Sequence, residues 1–527
     1  MKKKCYITTP IYYPSGNPHL GHAYCTTMCD IFARYKKNMG VETYFLTGTD
    51  EHGQKIENKA KEENITPQEY VDIRADGFKK LWSAMKIDNN DFIRTTEERH
   101  IKVVQQVFSR FLKQDDIYLD HYEGWYCTHC ESFWTETQAT EAHICPDCGR
   151  PVHLEKEESY FFRCKKHIDV VNKAFENPDF LTPVSRKNEM INNFIKPGIE
   201  DLCVSRTSFK WGIPVLENEN HVVYVWLDAL VNYISALGYL SNDDSLFKEF
   251  WDDDTEIIHV VGADISRFHT IYWPMFLNCL GLRLPDKVFV HGLIMMKDGK
   301  MSKSKGNVIS PYPLIEKYGV DTVRYYLARE IPFGQNGTFT PQEFVDRING
   351  DLVNNYGNFV SRTLSMITKY FNGVIPSYEK GITAFDKDLE EKIETNINKY
   401  IGLMEDLNIS DALQVVMDLC MAANKYIEDN KPWELAKDET KVNELKSVMS
   451  HLARVILVST ILLKPVLVET FEKTCKSLGL SNNLDMVSLK DEHLLDGKIV
   501  DKTGVLFPRL NVETEVPYIA SLLQGIN

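Results

Sequence analysis

The sequence predicts an α/β protein: a parallel sheet interrupted by an inserted segment, followed by a bundle of helices. Three observations carry that expectation. The first fifty residues run strand, loop, helix, strand; apolar runs of strand character return at Ile257–Val261 and Val288–Ile294; past about residue 346 the pattern is helical, with few strand signals.

Lys4–Thr9 alternates and is rich in β formers, and Pro10–Pro18 is a loop around Pro14, Ser15 and Gly16. From Leu20, the apolar positions Ala23, Tyr24, Met28, Ile31, Phe32, Tyr35 and Met39 recur at helical spacing, and Gly40 supplies a stop. Glu42–Thr47 is a second strand. Such a βαβ unit implies a parallel sheet with a right-handed crossover. The later runs complete the sheet, so residues 116–222 form an insertion between the halves of a Rossmann-type nucleotide fold. In the helical region Leu389, Ile393, Ile397, Tyr400, Ile401 and Met404 form one stripe. Leu413, Val416, Met417, Cys420, Asn424 and Ile427 form a second, and Leu445, Val448, Met449, Leu452, Val455 and Ile456 a third. Stripes at this spacing are core faces of a bundle rather than cofactor contacts. After about residue 471 the pattern weakens and gives no docking for the tail.

The 527 residues include 60 Lys+Arg against 75 Asp+Glu, a net charge of −15, with 43% apolar residues and 11% aromatics. That length corresponds to about three or four domains, an enzyme-sized chain rather than a small binding module. The basic start Met1–Lys4 is followed by Cys5–Pro10, too short and polar for the apolar region of a signal peptide. Val455–Leu463, between Arg454 and Lys464, falls short of the ~20 apolar residues of a membrane span. The expectation is a cytoplasmic protein with no membrane partner. Its charge is uneven: residues 241–256 carry seven acids against Lys248, whereas 286–330 carry eight Lys/Arg against five acids. A local basic surface on an acidic chain is what phosphate binding requires.

Two motifs suit a nucleoside triphosphate. His19-Leu20-Gly21-His22 sits where the first loop meets the first helix, whose N-terminal N–H groups and partial positive charge favour phosphate. Gly21 would let the nucleotide approach the backbone, and His19 and His22 can donate to phosphate oxygens. Two histidines alone are more often surface or core residues. The second motif, Lys300-Met301-Ser302-Lys303-Ser304-Lys305-Gly306-Asn307, places three lysines within six residues among small hydroxyl side chains, a cationic clamp for charge developing during displacement. A solvated basic loop is the plainer alternative. Four of the twelve cysteines form Cys127-x-x-Cys130 and Cys145-x-x-Cys148, enclosing 14 residues, Glu131–Ile144. Two such turns can aim four thiolates at one tetrahedral structural zinc ion, one per chain, with no open catalytic position. Reduced thiols and disulfides are the alternatives.

Together the histidine and lysine motifs, in this order and on these elements, resemble the signature pair of class I aminoacyl-tRNA synthetases. Pro10-Ile11-Tyr12-Tyr13, Gly48-Thr49-Asp50-Glu51-His52-Gly53, Tyr224-Val225-Trp226-Leu227-Asp228-Ala229, and Gly262-Ala263-Asp264 through His269 to Trp273 are similar to motifs of the methionyl-tRNA synthetases, a likeness extending to about residue 510. The resemblance implies ATP, carried with Mg2+, on His19, Gly21, His22, Lys300, Ser302 and Lys303, with His19, His22, Lys300 and Lys303 catalytic. It implies L-methionine among Ile11, Tyr13, Trp226, Ala229, Tyr233, Asp264, His269 and Trp273. Asp50 would meet its ammonium, and Arg206 would lie near the carboxylate or Asp50. An aromatic, polarizable pocket suits a thioether, with one His or Tyr donor reaching the weakly accepting sulfur. Leu230 stands where some members have proline, and Leu202 where some have a tryptophan that moves on binding.

The resemblance also implies a zinc insertion bracing the tRNA acceptor end. In the helical region it implies an anticodon-binding bundle that reads tRNA(Met) through Asn358, Arg362 and Trp433. Alone, Trp433 after a proline is more often a packing residue, and Asn358 and Arg362 a solvated helix face. The implied divisions are a catalytic domain in two halves, 1–115 and 223–285, the insertion at 116–222, a lysine-loop and stem-contact region at 286–345, and the bundle and tail at 346–527. About 17 residues follow Leu510, too few for an appended β-barrel RNA-binding domain, so a monomer is expected. Two rival readings stand: a class I synthetase for another apolar amino acid, against which the absence of a long editing insertion weighs, and a non-catalytic tRNA-binding protein on the same scaffold.

Overall fold

The computed structural model describes residues 2–128, 132–134, 139, 143–146, 148–296, 299–300, 309–501 and 504–524. The chain forms two compact units, one of residues 1–18, 43–83 and 88–292, the other of residues 19–42, 84–87 and 293–527.

The first unit is built on β1 (Lys4–Tyr12). The chain then passes through α1 (Leu20–Asn38), which clusters with the second unit, and returns as β2 (Glu42–Thr49). Next come α2 (Gln54–Glu63), α3 (Pro67–Ala84), β3 (Asp91–Arg94) and α4 (Glu98–Lys113). The inserted region contributes β4 (Ile117–Cys127), β5 (Ser132–Trp134), β6 (His153–Phe162), α5 (Ile168–Glu176), β7 (Leu181–Thr182), α6 (Val184–Met190), β8 (Leu202–Cys203), β9 (Ser205–Arg206), β10 (Pro214–Val215) and β11 (Asn218–Val223). The sheet resumes through α7 (Val225–Ser235), α8 (Ser245–Phe250), β12 (Thr255–Gly262), α9 (Trp273–Leu280) and β13 (Lys287–His291).

The six-stranded sheet has the order β3-β2-β1-β12-β13-β7, with β1/β12, β12/β13, β13/β7 and β2/β3 parallel. Its central strands are buried along nearly their whole length, as strands covered on both faces must be. Gly48 is required where β2 meets β3: a Cβ there would lie 2.1 Å from the Ile93 carbonyl oxygen. Two expectations change. β1 runs on through Pro10 to Tyr12; its pairing with β12 ends at Thr8↔His259, so the missing proline N–H breaks no bond to that strand. Within residues 116–222, β7 returns to pair with β13 at the edge of the main sheet, while β5-β4-β6-β8 form a separate antiparallel sheet.

The second unit begins at α1 and resumes with β14 (Ile294–Met296), β15 (Gly299–Lys300), α10 (Tyr312–Tyr318), α11 (Val320–Glu330), β16 (Gly337–Thr338) and α12 (Pro341–Arg347). The bundle follows as α13 (Asn358–Phe371), α14 (Asp386–Glu405), α15 (Ile409–Asn430), the short α16 (Pro432–Leu435) and α17 (Val442–Leu463). All three expected stripes face the core, with Ile397, Ile401 and Asn424 at its margin. Residues 439–463 are long and apolar enough to cross a membrane, but 94% of the apolar stretch of this helix is buried inside the bundle. The tail forms α18 (Val468–Ser477) and α19 (Val512–Gln524), which packs on α12.

Arg324 of α11 is fully buried. Its guanidinium pairs with Asp30 of α1 at 2.7 Å and donates to the carbonyls of Met85, Pro465 and Val466 at 2.8–3.0 Å. Replacing it by methionine leaves Asp30 buried without this partner, which should lower stability by about 3–5 kcal/mol. Urea unfolding of Arg324→Met should show the loss; an unchanged midpoint would mean the pair contributes little.

Candidate active site

The first motif forms the N-terminus of α1. His19 caps the helix: its Nδ1 accepts from the Gly21 N–H at 3.1 Å, and its own N–H donates to Nδ1 of His22 at 3.1 Å. The two rings lie 3.8 Å apart. A ring nitrogen that accepts carries no proton, so the hydrogen bonds assign both protons to Nε2. A Cβ on Gly21 would come within 2.9 Å of the His19 ring, so a larger residue would displace the cap. The helix end thus carries two imidazole N–H donors beside its own N–H groups, chemistry that suits a phosphate. The Leu20 N–H donates to the Ile309 carbonyl at 3.0 Å, bringing a residue two positions past the lysine-rich motif to the same helix end. Ser302 and Lys303 lie outside the described residues, as does the side chain of Lys300, whose backbone pairs with Met295 in the β14/β15 hairpin.

The residues expected around an amino acid lie in the first unit. Ile11, the last residue but one of β1, is half-buried, and the half-buried ring of Tyr13 lies under the Lys55 ammonium at 5.3 Å. Asp50 is buried just past β2, its N–H donating to the Tyr12 carbonyl at 3.0 Å. Ala229 and Tyr233 are buried on α7. Trp226, on the same helix, stacks on Phe268 at 3.3 Å between ring centres and borders a cleft of about 450 Å³ that Leu202 and Arg267 also line. Tyr233, His269 and Trp273 are brought together, Tyr233 lying 5.7 Å from the His269 ring and 5.9 Å from Trp273. Asp264 is exposed on the single turn Ala263–Ile265. Arg206 is wholly buried, ion-paired to Glu157 and stacked over Tyr126 at 4.2 Å.

The polar wiring changes one expectation. Nδ1 of His269 faces the Ile265 carbonyl at 2.9 Å, and a carbonyl only accepts, so the ring proton is on Nδ1. Nε2 then accepts from the Tyr233 hydroxyl at 2.8 Å. The proton expected to reach a thioether is therefore committed within the protein in this arrangement. Trp273 Nε1–H donates to Nε2 of His259 at 3.2 Å, leaving His259 Nδ1–H to donate to the Thr8 hydroxyl at 2.9 Å. Burial pushes the His269 pKa down to about 4, partly offset by its bond to the Ile265 carbonyl. Burial, aided by His269, also holds His259 well below the usual imidazole range.

The spacing did not reveal Asp228 with His52 and His100, or His259. The signals were present: one acid in the otherwise apolar Val225–Val231, and one histidine inside the apolar run Ile257–Val261. In the second unit, exposed Asn358 precedes Arg362 by one turn of α13. The Arg362 guanidinium lies 5.8 Å over the Trp433 ring and pairs with Glu428 at 2.7 Å.

Cys127 ends β4, and Cys145 and Cys148 lie on a turn closed by bonds from Cys145 N–H to the Arg150 carbonyl and from Gly149 N–H to the Cys145 carbonyl. The three sulfurs lie within 4.8 Å of one another and could hold a metal ion. The Cys127–Cys148 sulfur separation of 3.6 Å is far from the ~2.0 Å of a disulfide. It is close to the ~3.8 Å edge of a tetrahedron with metal–sulfur bonds near 2.3 Å. Cys130 lies outside the described residues. Two other clusters contain metal-ligand types but are internally partnered: Lys166 sits 2.5 Å from Asp116 beside His167 and Cys279, and Ser447 and Tyr426 donate to Asp386 beside Glu390 and His451.

Residues 5–364 match the class I tRNA synthetases (M), and residues 376–521 the anticodon-binding domain of methionyl tRNA ligase. The chain belongs to the methionyl-tRNA synthetase family. Methionine–tRNA ligase of Bacillus subtilis is 53% identical over 537 residues, covering 99% of this chain and 80% of the relative; that of Oceanobacillus iheyensis is 52% identical over 528 residues, covering 98% and 78%. The structure of Mycobacterium tuberculosis methionyl-tRNA synthetase in complex with methionyl-adenylate superposes with a TM-score of 0.91 at 36% identity, over 96% of this chain and all of that one. The apo form of that synthetase gives 0.85 at 33% identity, over 97% and 99%.

For this member of the methionyl-tRNA synthetases, the depressed His269 pKa gives a pH dependence with a definite sign. The unfolded ring takes up a proton near pH 6.5, the folded one only near 4, so unfolding binds a proton between those values. Stability should fall as pH drops through this window, by up to about 1.4 kcal/mol per unit for this ring, and be insensitive to it above pH 7. Unfolding measured from pH 4 to 7 should show a shallower slope in His269→Gln than in the unmodified protein; equal slopes would reject the assignment.

Proposed function

We propose that the protein activates L-methionine with ATP and transfers it to tRNA(Met), supplying cytoplasmic translation in both initiation and elongation. The observation that carries this reading is 52–53% identity along 98–99% of the chain to methionine–tRNA ligases. In the first step a methionine carboxylate oxygen attacks the α-phosphorus in line; the bond to the β-phosphate breaks, and pyrophosphate leaves with the electron pair. In the second, the terminal 2′-OH of the tRNA attacks the carbonyl carbon, loses its proton, and AMP departs. Neither step needs a covalent bond to the enzyme, so catalysis rests on positioning and charge stabilisation.

His19 and His22, with Nε2–H donors at a helix N-terminus, bind ATP phosphates together with Gly21, Lys300, Ser302 and Lys303, Mg2+ arriving on ATP. Ile11, Tyr13, Trp226, Ala229, Tyr233, Asp264, His269 and Trp273 take methionine, Asp50 its ammonium, with Arg206 near its carboxylate or near Asp50. The neutral, buried His269–Tyr233 pair supports this: a wall without net charge suits a thioether. The Arg362 guanidinium 5.8 Å over the Trp433 ring, with Asn358 one turn away, supports base stacking and edge reading at the anticodon. The catalytic halves are 1–115 and 223–285, the insertion 116–222, the lysine-loop region 286–345 and the anticodon domain 346–527. Pyrophosphate exchange with a panel of amino acids should respond to methionine alone among the proteinogenic set, and Lys303→Ala should slow it about 10²–10³-fold with methionine affinity little changed. Exchange driven best by another amino acid would reject methionine, and an unchanged Lys303→Ala rate would reject that lysine.

Cys127, Cys130, Cys145 and Cys148 hold one structural zinc, a reading supported by the three described sulfurs lying within 4.8 Å of one another. Their role is local folding, since zinc ligation contributes folding free energy directly. Metal analysis should find one zinc per chain in the purified protein and less in Cys127→Ser or Cys148→Ser, with lower folded yield. Zinc-free protein that folds and charges tRNA normally would remove this role.

A further inference from the structure

Asp228 is wholly buried in the first turn of α7, between Trp226 and Ala229. Its two oxygens are held separately. His52 Nδ1 lies 2.7 Å from Oδ2, and His100 Nε2 lies 2.8 Å from Oδ1. An ionised carboxylate only accepts, so both imidazole nitrogens donate. Burial raises the Asp228 pKa, but the two imidazoles outweigh it and hold the carboxyl below the usual range, keeping it ionised. His100, on α4, also reaches Ser235 Oγ at 2.7 Å through Nδ1, so one ring ties the first and last turns of α7. His52 follows Asp50 by two residues in a segment that is itself fixed. Glu51 receives Arg94 at 2.7 and 2.9 Å, Thr49 at 2.6 Å and Thr96 at 2.5 Å, and Trp211 Nε1–H donates to the Glu51 carbonyl at 2.6 Å.

We propose that Asp228, acting through His52 and His100, is a positioning residue for amino-acid recognition. It sets the separation between the Asp50 segment, which holds the ammonium, and the α7 face bearing Trp226, Ala229 and Tyr233, which takes the side chain. This rests on the methionine-binding roles given above. Ammonium and thioether are opposite ends of one substrate, so elements gripping them separately must keep a fixed spacing. Apolar contacts alone would hold α7 in place yet permit sliding. Two short charge-assisted hydrogen bonds, with defined directions, do not. None of the three residues belongs to the ATP-binding set, so methionine use alone should depend on them.

The test uses paired variants of the full chain in methionine-dependent pyrophosphate exchange, with unfolding midpoints recorded for each. Asn places its Nδ2 near the position of imidazole Nδ1, and Gln its Nε2 near imidazole Nε2. His52→Ala and His100→Ala should each raise the KM for methionine about tenfold or more, the scale of a lost hydrogen bond to a charged group, with the KM for ATP within about twofold. His52→Asn and His100→Gln should recover most of that loss. If an alanine variant fails to fold, Asp228→Asn, which keeps volume, should show the same selective rise. The proposal is overturned by an unchanged methionine KM, by methionine and ATP values rising together, or by no recovery in the Asn and Gln variants. An unmodified protein without methionine-dependent exchange would overturn the functional reading, and this proposal with it.

Discussion

One ion pair fixes the helix that carries the histidine motif. Arg324 cannot shed its charge at any accessible pH, so burying it fully obliges the fold to surround it with acceptors. Asp30 supplies the opposite charge, and the carbonyls of Met85, Pro465 and Val466 take three further N–H groups. Asp30 also binds Arg34 at 2.9 Å, and Arg34 in turn donates to the Lys86 carbonyl at 2.7 Å. A single carboxylate thus joins α1 to α11 and, through the two arginines, to residues 84–87 and the turn after α17. Asp30 lies ten residues beyond the start of α1, about 15 Å along the helix. The position of His19 and His22 is therefore set by a directional contact remote from any phosphate. Packing alone would define the contact face of α1 but leave its axial position less constrained.

Much of this architecture was legible because its signals are local. The periodicity of residues 20–39 gives α1, the three helical stripes give the bundle, and the spacing of Cys127, Cys145 and Cys148 anticipates their convergence. Motif residues that are neighbours in sequence, such as His19 and His22, could be paired by inspection. Pro10 misled because a proline ends a strand only where its missing N–H was needed, and pairing with β12 had already ended at Thr8. The return of β7 to the main sheet was hidden for another reason: two residues are too few to carry a period.

What remained hidden in the candidate site is long-range. His52, His100 and Asp228 lie 48 to 176 positions apart, and no local pattern joins them. Asp228 alone looks like an acid on a solvated helix face, and His100 like one residue of an amphipathic helix. The informative mark was that Asp228 is the one charged residue of Val225–Ser235, with only the uncharged Asn232 and Ser235 sharing its face. An ionised group in such a position must have partners, so a buried acid without nearby sequence partners points to distant ones.

The histidines show how one side chain is given opposite chemistry by its second partner. At α1, backbone N–H groups occupy Nδ1 of His19 and His22, which turns Nε2 into a donor in each. In the first unit the Ile265 carbonyl occupies the Nδ1–H of His269, and Trp273 occupies Nε2 of His259; there Nε2 accepts in both rings. Phosphate oxygens only accept, so an Nε2–H donor suits them. A thioether gains little from a donor and loses nothing to a neutral ring, so an imidazole whose proton is spent on the backbone can serve as wall rather than hand. The depressed pKa of His269 belongs to the same design. Were the ring to charge, Nε2 would carry a proton and the hydrogen bond would reverse, the Tyr233 hydroxyl accepting instead of donating. The neutrality of the His269 ring thus rests on burial as much as on residue identity.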